Sequence, residues 1–196
     1  MKHLRLPLLA AALALLAAPA EAHVGIGATS SFGVGFGHPF LGLDHIAVMI
    51  AVGLWAALKG GRALFVWPAV FVGIMLVGGG LGMANVPVPL VEPGILASVV
   101  ALGLLVALAA DLPVWTGALV IGLFAVFHGH AHGTEVPETV SGFEYMAGLA
   151  LATAGLHGLG IGAAILLGRR HRVLTRLAGA AAALLGVALA AGFAGA

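Results

Sequence analysis
Two stretches of this chain carry side chains that bind metal ions. His38-Pro39-Phe40-Leu41-Gly42-Leu43-Asp44-His45 opens an apolar run that reaches Leu58. Phe127-His128-Gly129-His130-Ala131-His132-Gly133-Thr134-Glu135-Val136-Pro137 closes another. Ionisable groups at membrane depth are costly, so they are functional candidates by default. On a helix, His38 and His45 are two turns apart and share a face. Asp44 is either a ligand itself or the carboxylate that holds the His45 ring. Met49, one turn deeper, offers a thioether or simply packs. His128 and His132, at i and i+4, put two imidazoles on one face, a common spacing for a metal site on a helix. His130 falls on the other side. The blander readings are that His38 and Asp44 cap a helix start, and that the second stretch is a wetted loop.

His157 stands alone in a third apolar run. It is either a deeper ligand or a histidine bonded to a neighbouring helix. Gly158 and Gly162 form a small-xxx-small pair that predicts a close helix beside it. Glu144 lies near the start of the same run.

The chain has no cysteine, which excludes disulfides, iron–sulfur clusters and thiolate sites. Imidazole and carboxylate without thiolate suit nickel, cobalt, zinc, copper(II) or iron(II). No serine sits in a nucleophile elbow and no phosphate-binding loop is present. The net charge is +1, and no basic tract points to a nucleic-acid partner.

The elements that must position these residues are membrane helices. The chain is 62% hydrophobic and 8% charged over 196 residues, with a mean hydropathy of +1.17. A soluble domain carries about 25% charged residues. The expected fold is all-α, one polytopic bundle of six transmembrane helices in a lipid bilayer. Residues 1–22 read as a cleaved signal peptide: Lys2 and Arg5, a short apolar core, then Ala20-Glu21-Ala22. Residues 23–196 then form the membrane domain. Residues 23–37, with five glycines and no charge, read as an external segment. The predicted helices run over Pro39 to Leu58, Ala63 to Ala84, Glu92 or Pro93 to Ala110, Val114 to His132, Ser141 to Leu167 and Leu174 to Phe193. The Gly78–Gly82 cluster predicts either close packing or a break.

Lys59, Arg62, Arg169, Arg170, Arg172 and Arg176 all flank the loops after the first and fifth helices. With the signal's Lys2 and Arg5 inside, the positive-inside rule puts them in the cytoplasm. The mature N-terminus then faces the periplasm of a bacterial inner membrane. His38, Asp44, His45, His128, His132 and Glu135 all fall near the outer face. Cleavage after Ala22 would start the mature chain at His23, whose α-amino group and imidazole together chelate a divalent ion.

At these residues the chain strongly resembles the HupE/UreJ family of membrane proteins. His38-Pro39-Phe40-x-Gly42-x-Asp44-His45-x-x-x-Met49 matches that family's first-helix signature. Phe127-His128-Gly129-x-Ala131-His132-Gly133-x-Glu135-x-Pro137 matches its second. The first also looks like the His-x4-Asp-His signature of the wider nickel/cobalt transporter family, with five residues here in place of four. The resemblance implies a permease for Ni²⁺, with Co²⁺ or Zn²⁺ as other cargo, and a link to hydrogenase or urease maturation. The expected ligands are His23, His38, Asp44, His45, His128, His132, Glu135 and His157. Two other classes stay open on the residues alone. One is an intramembrane zinc hydrolase with Glu135 or Glu144 as base. The other is a metal sensor or chaperone subunit.

Overall fold
The computed structural model describes residues 30–168 and 172–194. The predicted signal peptide, His23 and the segment Arg169 to His171 lie outside the described residues. Seven α-helices occur among those described: α1 (Ser31–Gly37), α2 (Leu43–Lys59), α3 (Ala63–Met83), α4 (Val91–Ala107), α5 (Val114–Thr134), α6 (Gly142–Leu167) and α7 (Arg172–Ala194). A 3₁₀ turn, His38–Phe40, joins α1 to α2. The fold is all-α, as expected for a chain whose backbone must satisfy its own hydrogen bonds in lipid.

Among the described residues, α3, α5, α6 and α7 are each long and apolar enough to cross a membrane. Ser31–Phe40 and Leu43–Lys59 pass that test together as a pair bent by 82°. Helix α4 is apolar but shorter, with 17 residues. This is a multi-pass membrane protein.

The first helix differs from expectation. The sequence predicts one helix from about Pro39 to Leu58, with residues 23–37 as an external segment leading into it. Instead α1 forms, capped by the Ser30 hydroxyl accepting from Gly33 N–H at 3.1 Å. It packs on α6. The chain then turns, and α2 starts only after Gly42, whose backbone is extended at φ −110° and ψ 124°. A Cβ at Gly42 would lie 2.6 Å from Asp44 Oδ1 and 2.8 Å from His45 Nδ1. Gly42 therefore leaves space for that pair to close over the backbone.

Helix α2 is the centre of the bundle. It bears on α6, α4 and α3, and Val48, Met49, Ala51, Val52, Gly53, Leu54, Trp55 and Ala56 are all buried. A helix apolar all round is one wrapped by others. At its crossing with α6, a Cβ on Gly160 would stand 3.1 Å from Gly53 Cα. This pair brings α2 to the turn that carries His157. The predicted pair, Gly158 and Gly162, does not: no described residue comes within 4 Å of a Cβ at either. They lie off the buried stripe of α6, one residue after His157 and two after Gly160.

Helices α3 and α5 make the most extensive pairing, side by side. The Gly78–Gly82 cluster packs and does not break α3. A Cβ at Gly129 would lie 2.9 Å from Gly79 N. At the far end from the motifs, Trp55 and Trp67 stack with ring centroids 4.2 Å apart. Their indole N–H groups donate to the carbonyls of Ala110 and Val114, each at 2.8 Å. Lys59 Nζ donates to Asp111 Oδ1 in the same region.

Candidate metal centre
The site is assembled from the bend before α2, the first turn of α2, the C-terminal half of α5 and one face of α6. On α2, Asp44 Oδ1 accepts twice from His45, from its backbone N–H and from ring Nδ1–H, both at 2.8 Å. A carboxylate only accepts here, so Nδ1 carries the proton and Nε2 keeps its lone pair. That Nε2 is buried and finds no hydrogen-bond partner among the described residues. Asp44 thus orients the ring through Oδ1. Asp44 also serves the helix start: it lies in the first turn of α2 and takes up the His45 N–H there, although the N-cap residue is Gly42.

On α5, the same count of protons fixes His128. Ser98 Oγ–H donates to Ile95 O at 2.6 Å. A hydroxyl has one proton, so at 2.9 Å Ser98 Oγ must accept from His128 Nε2–H. Nδ1 of His128 is left with a lone pair, buried and unpartnered among the described residues. One turn on, His132 is fully buried, and neither of its nitrogens has such a partner.

These rings meet. His45 lies 4.5 Å from His132 and 4.9 Å from His128 between ring centroids. His38 reaches His132 at 4.9 Å. His38 Nε2 donates to Glu135 Oε2 at 2.9 Å. One donor atom each from His38, His132 and Glu135 lies within 4.8 Å of the others. No covalent rearrangement is needed for these three to close on one divalent ion. Burial falls along the cluster: His38 is 25% exposed and Glu135 53%, while His128 and His132 are sealed.

His157 lies deeper. It is 1% exposed, and both ring nitrogens lack hydrogen-bond partners among the described residues. The Phe71 ring separates it from the cluster, 5.7 Å from His128 and 5.1 Å from His157. The predicted residues therefore fall into two levels. His38, His45, His128, His132 and Glu135 come together, with Asp44 behind His45; His157 stands apart beneath an aromatic ring.

Three other candidates sit elsewhere. His130 Nε2–H donates to Val86 O at 2.8 Å and pins the α3–α4 loop. Met49 belongs to the apolar core. Glu144 is exposed in the first turn of α6, where Ser141 caps its backbone N–H at 3.4 Å. Sequence reasoning missed Ser98, Phe71 and Tyr145. Ser98 had a signal: a lone hydroxyl in the apolar interior of α4. Tyr145, the one tyrosine of the chain, had one too. Phe71 had none, being one phenylalanine among nine.

Fold and site together define a multi-pass helical membrane protein whose buried imidazoles lack hydrogen-bond partners among the described residues. The chain belongs to the HupE/UreJ family: the family model for "HupE / UreJ protein" matches residues 11–189. This family is associated with nickel and cobalt transport and is not a family of enzymes. The chain is 46% identical over 193 residues to "Protein HupE" of Rhizobium leguminosarum bv. viciae, covering 98% of this chain and 100% of that protein. No solved structure matches.

Proposed function
We propose that this protein is an uptake permease that carries Ni²⁺ across the bacterial inner membrane. One observation carries this reading: the His45 ring meets those of His128 and His132, and all three keep buried nitrogens without a hydrogen-bond partner among the described residues. A buried polar group without a partner is unfavourable, and a divalent cation satisfies several at once. Imidazole and carboxylate donors suit Ni²⁺, with Co²⁺ and Zn²⁺ as competitors. The choice of nickel, and a supporting role for hydrogenase or urease maturation, rest on the family.

In this reading residues 1–22 are a signal peptide and residues 23–196 form six spans, with the bend before α2 counted in the first. The described cations Lys59, Arg62, Arg172 and Arg176 flank one end of the bundle and face the cytoplasm. The metal cluster opens to the periplasm. The ion is captured at His38, His132 and Glu135 and passes to His45 and His128, held ready by Asp44 and Ser98. It then moves past Phe71 to His157. His23, at the mature N-terminus, adds an external capture ligand. Several weak sites in series let an ion enter and leave.

The test is accumulation of radiolabelled Ni²⁺, Co²⁺ and Zn²⁺ in cells that make the protein and cells that do not. Nickel uptake should appear with the wild type and vanish with His132→Ala at equal membrane abundance. Uptake of zinc or cobalt without nickel would overturn the choice of metal; no uptake of any would overturn the permease.

A further inference from the structure
Tyr145 has no assigned part in this site, yet it stands against it. Its ring is fully buried in the second turn of α6. The ring lies 5.6 Å from that of His38, edge to face. Its hydroxyl is buried and finds no hydrogen-bond partner among the described residues. Glu135 is near enough for its charge to act on that hydroxyl. The backbone around Tyr145 is clamped by α1, because a Cβ at Gly35 would run into the Tyr145 carbonyl. The ring is therefore held in place, and its one polar atom has no partner among the described residues. Native interiors rarely leave such a group unpaired without a role.

The donor set beside it is incomplete. His38, His132 and Glu135 offer three donor atoms within 4.8 Å of one another. A divalent nickel ion takes more than three, and water fills open positions at metal sites with three protein ligands. A water on a cation has turned its lone pair to the metal, so it acts as a donor. The Tyr145 oxygen can accept that bond.

We propose that Tyr145 holds a water molecule on the ion captured by His38, His132 and Glu135, so that the cargo is taken up still partly hydrated. This rests on the metal-capture reading above and deepens it. Tyr145 is then a positioning residue: it acts through the water.

The experiment uses the full chain purified in detergent, with Ni²⁺ as the probe. Calorimetric titration gives the affinity, and thermal unfolding without metal gives the stability. Tyr145→Phe keeps the ring and removes the oxygen. It should weaken Ni²⁺ binding by about 10–100-fold, the usual effect of losing a group behind the ligands. Its metal-free melting temperature should equal or exceed that of the wild type, because an unpaired buried hydroxyl is gone. A Tyr145→Phe protein that binds Ni²⁺ as tightly as a binding wild type overturns the water role and leaves the capture site standing. So does a lowered metal-free melting temperature with unchanged affinity, which is the signature of packing alone. A wild type that binds no Ni²⁺ overturns both readings together.

Discussion
The two ends of this bundle handle their buried polar groups in opposite ways. At the basic end, Trp55 and Trp67 stack and give both indole N–H groups to backbone carbonyls, and Lys59 pairs with Asp111. At the motif end, His45 Nε2, His128 Nδ1, both nitrogens of His132 and the Tyr145 hydroxyl go without partners among the described residues. A satisfied buried network rigidifies, and an unsatisfied one is costly. One end is therefore satisfied within the described residues. At the other, the proposed function assigns the free groups to a metal ion.

The sharpest way to break this comparison is His45→Ala. It removes the imidazole that touches both His128 and His132, and nickel uptake should be abolished with normal membrane abundance. Full uptake by a well-expressed variant would take His45 out of the site. Asp44→Asn comes next. The amide keeps the size but loses the charge behind the His45 ring, so Ni²⁺ affinity should drop about 10–100-fold. A loss as complete as that of His45→Ala would make Asp44 a ligand in its own right. Gly42→Ala tests the same pair from the backbone side. Its methyl group would press on Asp44 Oδ1 and His45 Nδ1, so affinity should fall, whereas Gly158→Ala, with open space around the new methyl, should leave binding unchanged. Equal titration curves for the two glycine variants would mean that the bend does not set the pair.

At the satisfied end the expected effect is on stability. Trp55→Phe leaves the Ala110 carbonyl without its donor, which costs about 1 kcal/mol, and the space left by the smaller ring in this buried site adds to the loss. Thermal unfolding in detergent reads this out, and Ni²⁺ affinity should stay at the wild-type value. The smallest effect belongs to His23→Ala. If the signal is cut after Ala22, this change should raise the nickel concentration for half-maximal uptake and leave the saturated rate alone. N-terminal sequencing that finds Met1 would end that idea.

Much of this contrast was legible in the sequence. Charge placement put the cations at one end and the motifs at the other, and hydropathy marked α2 to α7 to within a few residues, though not α1. The i, i+4 spacing put His128 and His132 on one face, where both meet His45. Other features depended on facts that periodicity does not carry. The break at Gly42 reflects a local fit of one carboxylate and one imidazole over the backbone. A period of 3.6 residues runs through such a break unnoticed. The crossing beside His157 uses Gly53 and Gly160, one glycine from each helix, and a search along one helix finds only Gly158 and Gly162. Phe71 matters because it lies between two histidines in space, and nothing in its neighbours along the chain says so.

The bend at Gly42 has a consequence for how an ion would be handed on. His38 rides on the short arm that α1 fastens to α6, and His45 rides on α2. On the proposed path the ion is received at His38 and passed on to His45, so giver and receiver are mounted on different levers. The gap between them is set by the distance between the arm and α2. A small slide of α2 along α6 would change that gap at once, while every helix kept its own hydrogen bonds. A straight first helix, with both histidines on one rigid rod, would keep the gap fixed.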